Sequence, residues 1–296
     1  MAFSHRIGAH TSTAGALENA AILSHAAGAN TAQIFSGSPR TWRNPMPAPA
    51  AVAKLNDARQ RLDVHPLVVH ANYLINLASI DPANRPKSID AFRGELERAL
   101  ALGAEYLVLH PGSYKDQTLD TAYDRFAEGI QEASRGISSK SFTLLLENSA
   151  GAGSSIGSRF EELAELRQRI EGKLDFAVGY CIDTCHTLAA GIDFTTPASM
   201  KALVTALDAE LGLDRIPVFH MNDSKAPCGS HLDRHTHIGE GHIGLPAFER
   251  ILNHPQLAAK TFILETPVDA DDDYARNIAA LRNLCKQPSA AKAPRT

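Results

Sequence analysis

Eight short apolar runs, each ending in or beside a polar residue and separated by helix-length intervals, constrain this chain more than any other feature. They are 5–10 (HRIGAH), 31–37 (TAQIFSG), 65–71 (HPLVVHA), 106–112 (YLVLHPG), 142–148 (FTLLLEN), 178–184 (VGYCIDT), 217–223 (PVFHMND) and 261–266 (TFILET). Runs this short and this continuously apolar suit strands buried on both faces, as in a parallel sheet. The intervals carry helical signals. Ile89, Phe92, Leu96 and Ala99 recur at three to four residues and Gly103 follows them. Ser158 and Glu161 have the spacing of a capping box ahead of Phe160, Leu163, Leu166 and Ile170. Thr196-Pro197 reads as an N-cap with proline in the first turn. An open doubly wound sheet is the alternative, but eight parallel repeats within 296 residues favour a closed (β/α)8 TIM barrel. Residues 1–286 are expected to form one domain. The Ala/Pro-rich 287–296 lacks periodicity and is expected to be a frayed tail.

With 44% hydrophobic and 21% charged residues the chain can bury a core without staples. No stretch approaches the roughly 18–20 consecutive apolar residues of a spanning helix. The N-terminus also lacks the parts of a secretory signal, so a cytoplasmic location is expected. Cys181 and Cys185 stand four apart with no second pair to complete a structural zinc knot; packed, reduced thiols are expected. The net charge of −4 argues, at first sight, against a nucleic-acid partner.

The strand ends carry the chemistry. Runs three to eight finish at His70, His110, Glu147, Asp183, His220 and Glu265, with spacings of 40, 37, 36, 37 and 45 residues. In a barrel the C-terminal strand ends converge on one mouth, so six potential ligands face one volume. His186, three residues after Asp183, can reach over the mouth, and Asp233 and His235 stand on one side of an extended segment. A lone histidine at a strand end is usually structural. Six consecutive strands ending in His, Asp or Glu are not explained that way, because unpaired buried carboxylates are costly. Five imidazoles and four carboxylates suit zinc or a similar first-row ion, and nine ligands suit two or three ions sharing bridging carboxylates. His10, ending the first run, is either a support to this set or structural.

The segments 70–78 (HANYLINLA), 179–186 (GYCIDTCH) and 220–225 with 233–241 (HMNDSK, DRHTHIGEG) resemble the signature segments of the endonuclease IV family. Residues 8–17 (GAHTSTAGAL), 109–113 (LHPGS) and 146–157 (LENSAGAGSSIG) are also similar to it, in matching order from Ile7 to about Leu284. The resemblance implies hydrolysis of the DNA backbone 5′ to abasic sites in duplex DNA, leaving a 3′ hydroxyl, and allows removal of blocked 3′ ends. It implies three zinc ions, with manganese or another first-row ion also compatible with the donors. His70, His110 and Glu147 would hold the first ion. Glu147, Asp183, His220 and Glu265 would hold the second, and His186, Asp233 and His235 the third. Glu147, bridging two ions, and Glu265 would be the catalytic carboxylates. Three divalent ions would also carry the net charge of −4 to slightly positive, with that charge concentrated at the mouth.

For the DNA-contacting loops, Arg40 resembles the arginine that enters the duplex at the lesion, and Tyr73 and Leu74 resemble the wedge that unstacks neighbouring bases. Pro39 and Thr41 depart from the glutamines of bacterial relatives on either side of that arginine. No membrane or protein partner is implied, and a monomer is expected. One rival is a single-ion sugar isomerase or epimerase of the same barrel superfamily. It would use Glu147, Asp183, His220 and Glu265 and leave five ligands without a role. A second rival is a non-catalytic damage-binding protein, which would be expected to have lost a ligand.

Overall fold

Strands β1 (Arg6–His10), β2 (Thr31–Phe35), β3 (Leu67–His70), β4 (Tyr106–Leu109), β5 (Ser138–Glu147), β6 (Asp175–Asp183) and β7 (Val218–His220) pair in parallel, each with the next. Two short antiparallel strands follow, β8 (Asp223–Ser224) and β9 (His235–Thr236). Then β10 (Thr261–Leu264) pairs with both β7 and β1 and closes the barrel. The helices around it are α1 (Asn19–Ala26), α2 (Pro49–Arg61), α3 (Asn84–Leu102), α4 (Leu119–Ala133), α5 (Phe160–Ile170), α6 (Thr184–Ala189), α7 (Pro197–Glu210), α8 (Leu245–Leu252) and α9 (Asp273–Leu284). This computed structural model describes residues 5–286; the expected tail at 287–296 lies outside them. Among the described residues no helix is long and apolar enough to cross a membrane.

All eight apolar runs become barrel strands, and two of them are longer than expected. β5 and β6 begin at Ser138 and Asp175, in polar sequence that a search for apolar runs passes over, and their register shifts between Ser138 and Thr143. The seventh run is shorter than its apolar stretch. It leaves the barrel after His220, and Asp223 enters the small β8–β9 sheet instead.

Thr196 caps α7 in a full capping box with Ser199, and α3 ends on Gly103 in the left-handed region at φ 68°. The expected box at Ser158 does not form. Arg159 occupies the cap position of α5 without a side-chain bond. The preceding segment folds back so that Glu162, rather than Glu161, accepts from a backbone N–H ahead of the helix, that of Gly157 at 2.7 Å.

The strand period decides what faces the lumen. Side chains two apart share a face of a strand. Val68, Val108, Leu145, Cys181, Val218 and Ile263, all fully buried, form a cluster of their own, apart from the larger core between strands and helices. Two residues further along the chain stand His70, His110, Glu147, Asp183, His220 and Glu265, with His110 and Glu265 one residue past the ends of β4 and β10. The same step on β1 and β2 leads from Gly8 to His10 and from Thr31 to Gln33. An apolar layer therefore floors a polar layer to which all eight barrel strands contribute. Gly8 is required by closure: a Cβ there would lie 2.0 Å from the Thr31 carbonyl oxygen.

Candidate metal centre

Glu147 is the hub of the polar layer. It is fully buried, and four imidazoles converge on its carboxylate. His70 Nε2 and His110 Nε2 lie 3.2 and 3.3 Å from Oε2; His220 Nδ1 and His186 Nδ1 lie 2.8 and 3.6 Å from Oε1. Burial opposes its ionisation. The charges of His110 and His220 and hydrogen bonds from His220 and His70 outweigh that penalty and hold the carboxyl well below the usual range.

The donors fall into groups of ligating size. Within each of the sets His70–His110–Glu147, Glu147–Asp183–His220–Glu265 and Asp183–His186–His235, the donor atoms all lie within 4.8 Å of one another. Asp233 joins the last of these, 3.2 Å from His186 Nε2 and 3.1 Å from His235 Nε2. All nine sequence-derived donors thus meet in one volume. Cys185 also comes within that range of Asp233 and His235, a proximity the sequence reading missed; burial pushes its thiol up to about 12.

Whether the donors fit cations can be tested on the imidazoles themselves. His70 donates from Nδ1 to the Ala71 carbonyl at 2.7 Å, and His186 from Nδ1 to the Asn148 carbonyl at 2.9 Å. His235 Nδ1 faces the Glu265 carbonyl at 3.1 Å. A carbonyl only accepts, so each of these nitrogens must carry a proton and the other nitrogen is turned inward. His235 Nε2 is buried without a hydrogen-bond partner, although it faces two carboxylates. Orienting bonds of this kind are what metal-binding histidines require, and the donor set fits divalent ions.

Gln33 completes this pattern and was not recognised from sequence. It is fully buried on β2. Its Nε2 donates to Glu265 Oε1 and meets His10 Nδ1 at 3.0 Å, while its Oε1 accepts from His220 Nε2 at 2.8 Å. The Glu265 oxygen can only accept, so the amide has one orientation, and that orientation turns His220 Nδ1 towards the carboxylates. His10 is therefore a supporting residue, held by Gln33 and lying 3.6 Å from Glu265. Asn222 acts similarly, donating to Asp183 Oδ2 at 2.6 Å and accepting from the Glu265 N–H at 2.7 Å. Gln33→Leu keeps the volume but frees the His220 ring. We expect metal retention, measured by competition with a chelator, to weaken by about 10- to 100-fold; unchanged retention would show that Gln33 only fills space.

Asp223, also buried, fixes the segment that carries His235. Its Oδ1 accepts from the N–H groups of Ser224 and Ile243, and its Oδ2 from those of Gly239, Gly241 and Gly244, at 2.8 to 3.4 Å. A Cβ on Gly241 would lie 2.4 Å from that carboxylate. Residues 239–244 therefore wrap one anion, which explains the glycines in 239–244 without giving them a part in the chemistry.

Most donors are shielded, but the His110 side chain is 34% exposed and that of Asp233 is 54% exposed. These two side chains are the most solvent-accessible of the nine. Arg40 and Tyr73 are exposed on loops at this end of the barrel and Leu74 is half-buried. The Tyr73 ring stands edge-on to Phe35 at 5.3 Å and 5.6 Å from His70.

A family model described as a xylose isomerase-like TIM barrel matches residues 22–284. The protein named probable endonuclease 4 in Solibacter usitatus is 54% identical to this chain over 279 residues, 94% of this chain and 96% of its own. Its namesake in Halothermothrix orenii is 40% identical, covering 88% of this chain and 93% of that one. Among solved structures, endonuclease IV from Thermus thermophilus matches with a TM-score of 0.82 at 37% identity, covering 94% of this chain and 98% of that one. A D-tagatose 3-epimerase-like protein, TM-score 0.65 at 20% identity, shares the fold alone.

Proposed function

This chain belongs to the endonuclease IV family, and on that premise we propose that it hydrolyses the phosphodiester 5′ to an abasic site in duplex DNA, leaving a 3′ hydroxyl, with three zinc ions at the barrel mouth. It is an AP endonuclease of DNA repair, an enzyme whose substrate is DNA. The observation that carries the finer proposal is the complete set of nine donors gathered around Glu147. His70, His110 and Glu147 would hold one ion, Glu147, Asp183, His220 and Glu265 a second, and His186, Asp233 and His235 a third. Bound there, such ions lower the pKa of water to roughly 7 and neutralise phosphate charge.

The chain's own residues do the rest. Glu147 spans two donor groups and sets their separation. Gln33 and the carbonyls of Ala71, Asn148 and Glu265 hold the imidazoles in one orientation. The apolar floor keeps water from entering below, so a scissile phosphate can approach only from the side of His110 and Asp233. Arg40, Tyr73 and Leu74 would hold the duplex open at the lesion, where an abasic nucleotide has the least stacking to lose. The proposal takes 1–286 as one domain, acting as a cytoplasmic monomer. A single-ion isomerase is not favoured, since it leaves His70, His110, His186, Asp233 and His235 without work.

The test is incision of a duplex bearing one tetrahydrofuran abasic analogue, before and after strong chelation, with elemental analysis in parallel. The analogue cannot undergo β-elimination, so a 5′ cut reports hydrolysis. Cutting that disappears on chelation, with three zinc ions per chain, is the expected result. No cutting by fully loaded protein would return the choice to the isomerase.

Two further expectations follow from the same residues. Burial pulls the imidazoles of His186 and His235 down, but Asp183 and Asp233 outweigh it and push them up to about 10 and about 9. In the ion-free protein both hold a proton at pH 7.5, which a cation must expel. Affinity therefore rises as pH climbs towards 9, and loading at pH 7.5 should release about two protons at this group. Calorimetry in buffers of different ionisation enthalpy measures that release, and a buffer-independent heat would contradict it. For the loops, Arg40→Ala, Tyr73→Ala and Leu74→Ala should each raise KM for the abasic duplex about tenfold at unchanged metal content. Three unchanged KM values would remove these residues from the interface.

A further inference from the structure

Asn72 lies two residues beyond His70, is 4% exposed, and bonds in two directions. Its Oδ1 accepts from the Leu74 N–H at 2.8 Å, closing the turn that presents Tyr73 and Leu74. Its Nδ2 donates to the carbonyl of Thr41 at 3.0 Å, next to Arg40 and on the other loop.

The Arg40 loop is already a stiff body. At its base the Ser36 hydroxyl donates to Glu95 and accepts from Arg98 at 2.7 Å, and the buried Glu95 and Arg98 pair at 2.9 Å on α3. Arg98 also reaches the Asn44 carbonyl at 3.3 Å. Within the loop, Asn44 accepts from the Ser38 N–H and the Thr41 hydroxyl and donates to the Ser38 carbonyl. With base and interior fixed, what remains to be set is the position of the loop relative to Tyr73 and Leu74, and the Asn72–Thr41 bond spans that gap.

We propose that Asn72 is a positioning residue that couples the Arg40 loop to the Tyr73–Leu74 turn, so that both meet the damaged duplex as one preset unit. This rests on the reading above that these loops engage DNA. Two independently mobile loops would each lose freedom on binding, and a buried amide satisfied on both sides removes that cost in advance.

Asn72→Ser tests the coupling. The serine hydroxyl can still accept from the Leu74 N–H but is too short to reach Thr41; Asn72→Ala removes both bonds. Both variants are expected to keep their metal content and their kcat at saturating substrate. KM for the tetrahydrofuran duplex is expected to rise about tenfold, the scale of ordering one or two side chains anew. Trp42, the chain's single tryptophan, sits in the Arg40 loop and reports on it directly. Acrylamide should quench its emission more strongly in free Asn72→Ser than in the parent. The effects of Arg40→Ala and Leu74→Ala on kcat/KM should be non-additive in the parent and additive in the Asn72→Ser background.

Unchanged quenching with unchanged KM, or the same additivity in both backgrounds, overturns the coupling while leaving the loops' role intact. Loss of metal from Asn72→Ser also overturns it, because Asn72 would then act through His70. If Arg40→Ala, Tyr73→Ala and Leu74→Ala leave KM unchanged, the DNA-contact reading fails instead, and Trp42 quenching alone then decides whether Asn72 holds the loop.

Discussion

Glu147→Gln is expected to abolish incision while leaving the barrel folded. The substitution preserves shape and removes one negative charge and one acceptor oxygen at a point where four imidazoles converge. The inward nitrogen of His70 can accept from the new amide, so the buried site need not open. The amide cannot serve two cations at once. The variant should therefore retain fewer ions, and its single-turnover rate should fall by at least about 1,000-fold, the scale of losing a charge-stabilising group at a reacting phosphate. Rapid-quench incision and elemental analysis of the same preparation measure both effects. Near-parental cutting would mean that the bridge assigned to Glu147 does not exist.

Asp223→Asn should give the largest loss of stability among the residues discussed. Five backbone N–H groups point at this buried carboxylate, and an amide offers them one oxygen and an opposing NH2. Leaving several buried donors facing a donor costs about 3 kcal/mol, which in a domain of this size lowers the melting midpoint by roughly 6–12 °C. The damage should extend to the metal centre. Asp223 begins β8, which pairs with the strand that carries His235, so the group of His186, Asp233 and His235 should lose its ion first. Denaturant unfolding and metal analysis check the two effects separately. A stability loss below about 1 kcal/mol would show that water can replace the carboxylate.

The barrel, and the convergence of the six strand-end candidates on one layer, were legible because both follow from short-range rules. Apolar runs mark strands buried on both faces, and a His, Asp or Glu two residues beyond the lumen-facing Val68, Val108, Leu145, Cys181, Val218 or Ile263 must share their face. The same step applied to Thr31 would have found Gln33, but a neutral amide inside an apolar run does not announce itself as chemistry. Asp223 was visible inside a signature segment, yet its role depends on four N–H groups that a loop brings back to it from 16 to 21 positions away. Nothing local encodes that return. Ser158 shows the opposite failure: its spacing from Glu161 was correct for a cap, but the fold-back of 149–157 gave Glu162 the better geometry. The starts of β5 and β6 were hidden for a simpler reason, since Ser138 and Asp175 are polar strand residues exposed to solvent.

The apolar layer of Val68, Val108, Leu145, Cys181, Val218 and Ile263 beneath the polar one turns the barrel into a room with one door. On the proposed reading, substrate, nicked product and exchanging water would share the side of the centre where His110 and Asp233 are exposed. Arrival and departure therefore compete for the same opening, and a nick that lingers there blocks the next lesion. For such an enzyme, faster chemistry brings no gain in turnover once letting go becomes the slow step. The same grip would keep a freshly cut strand covered until another protein draws it away.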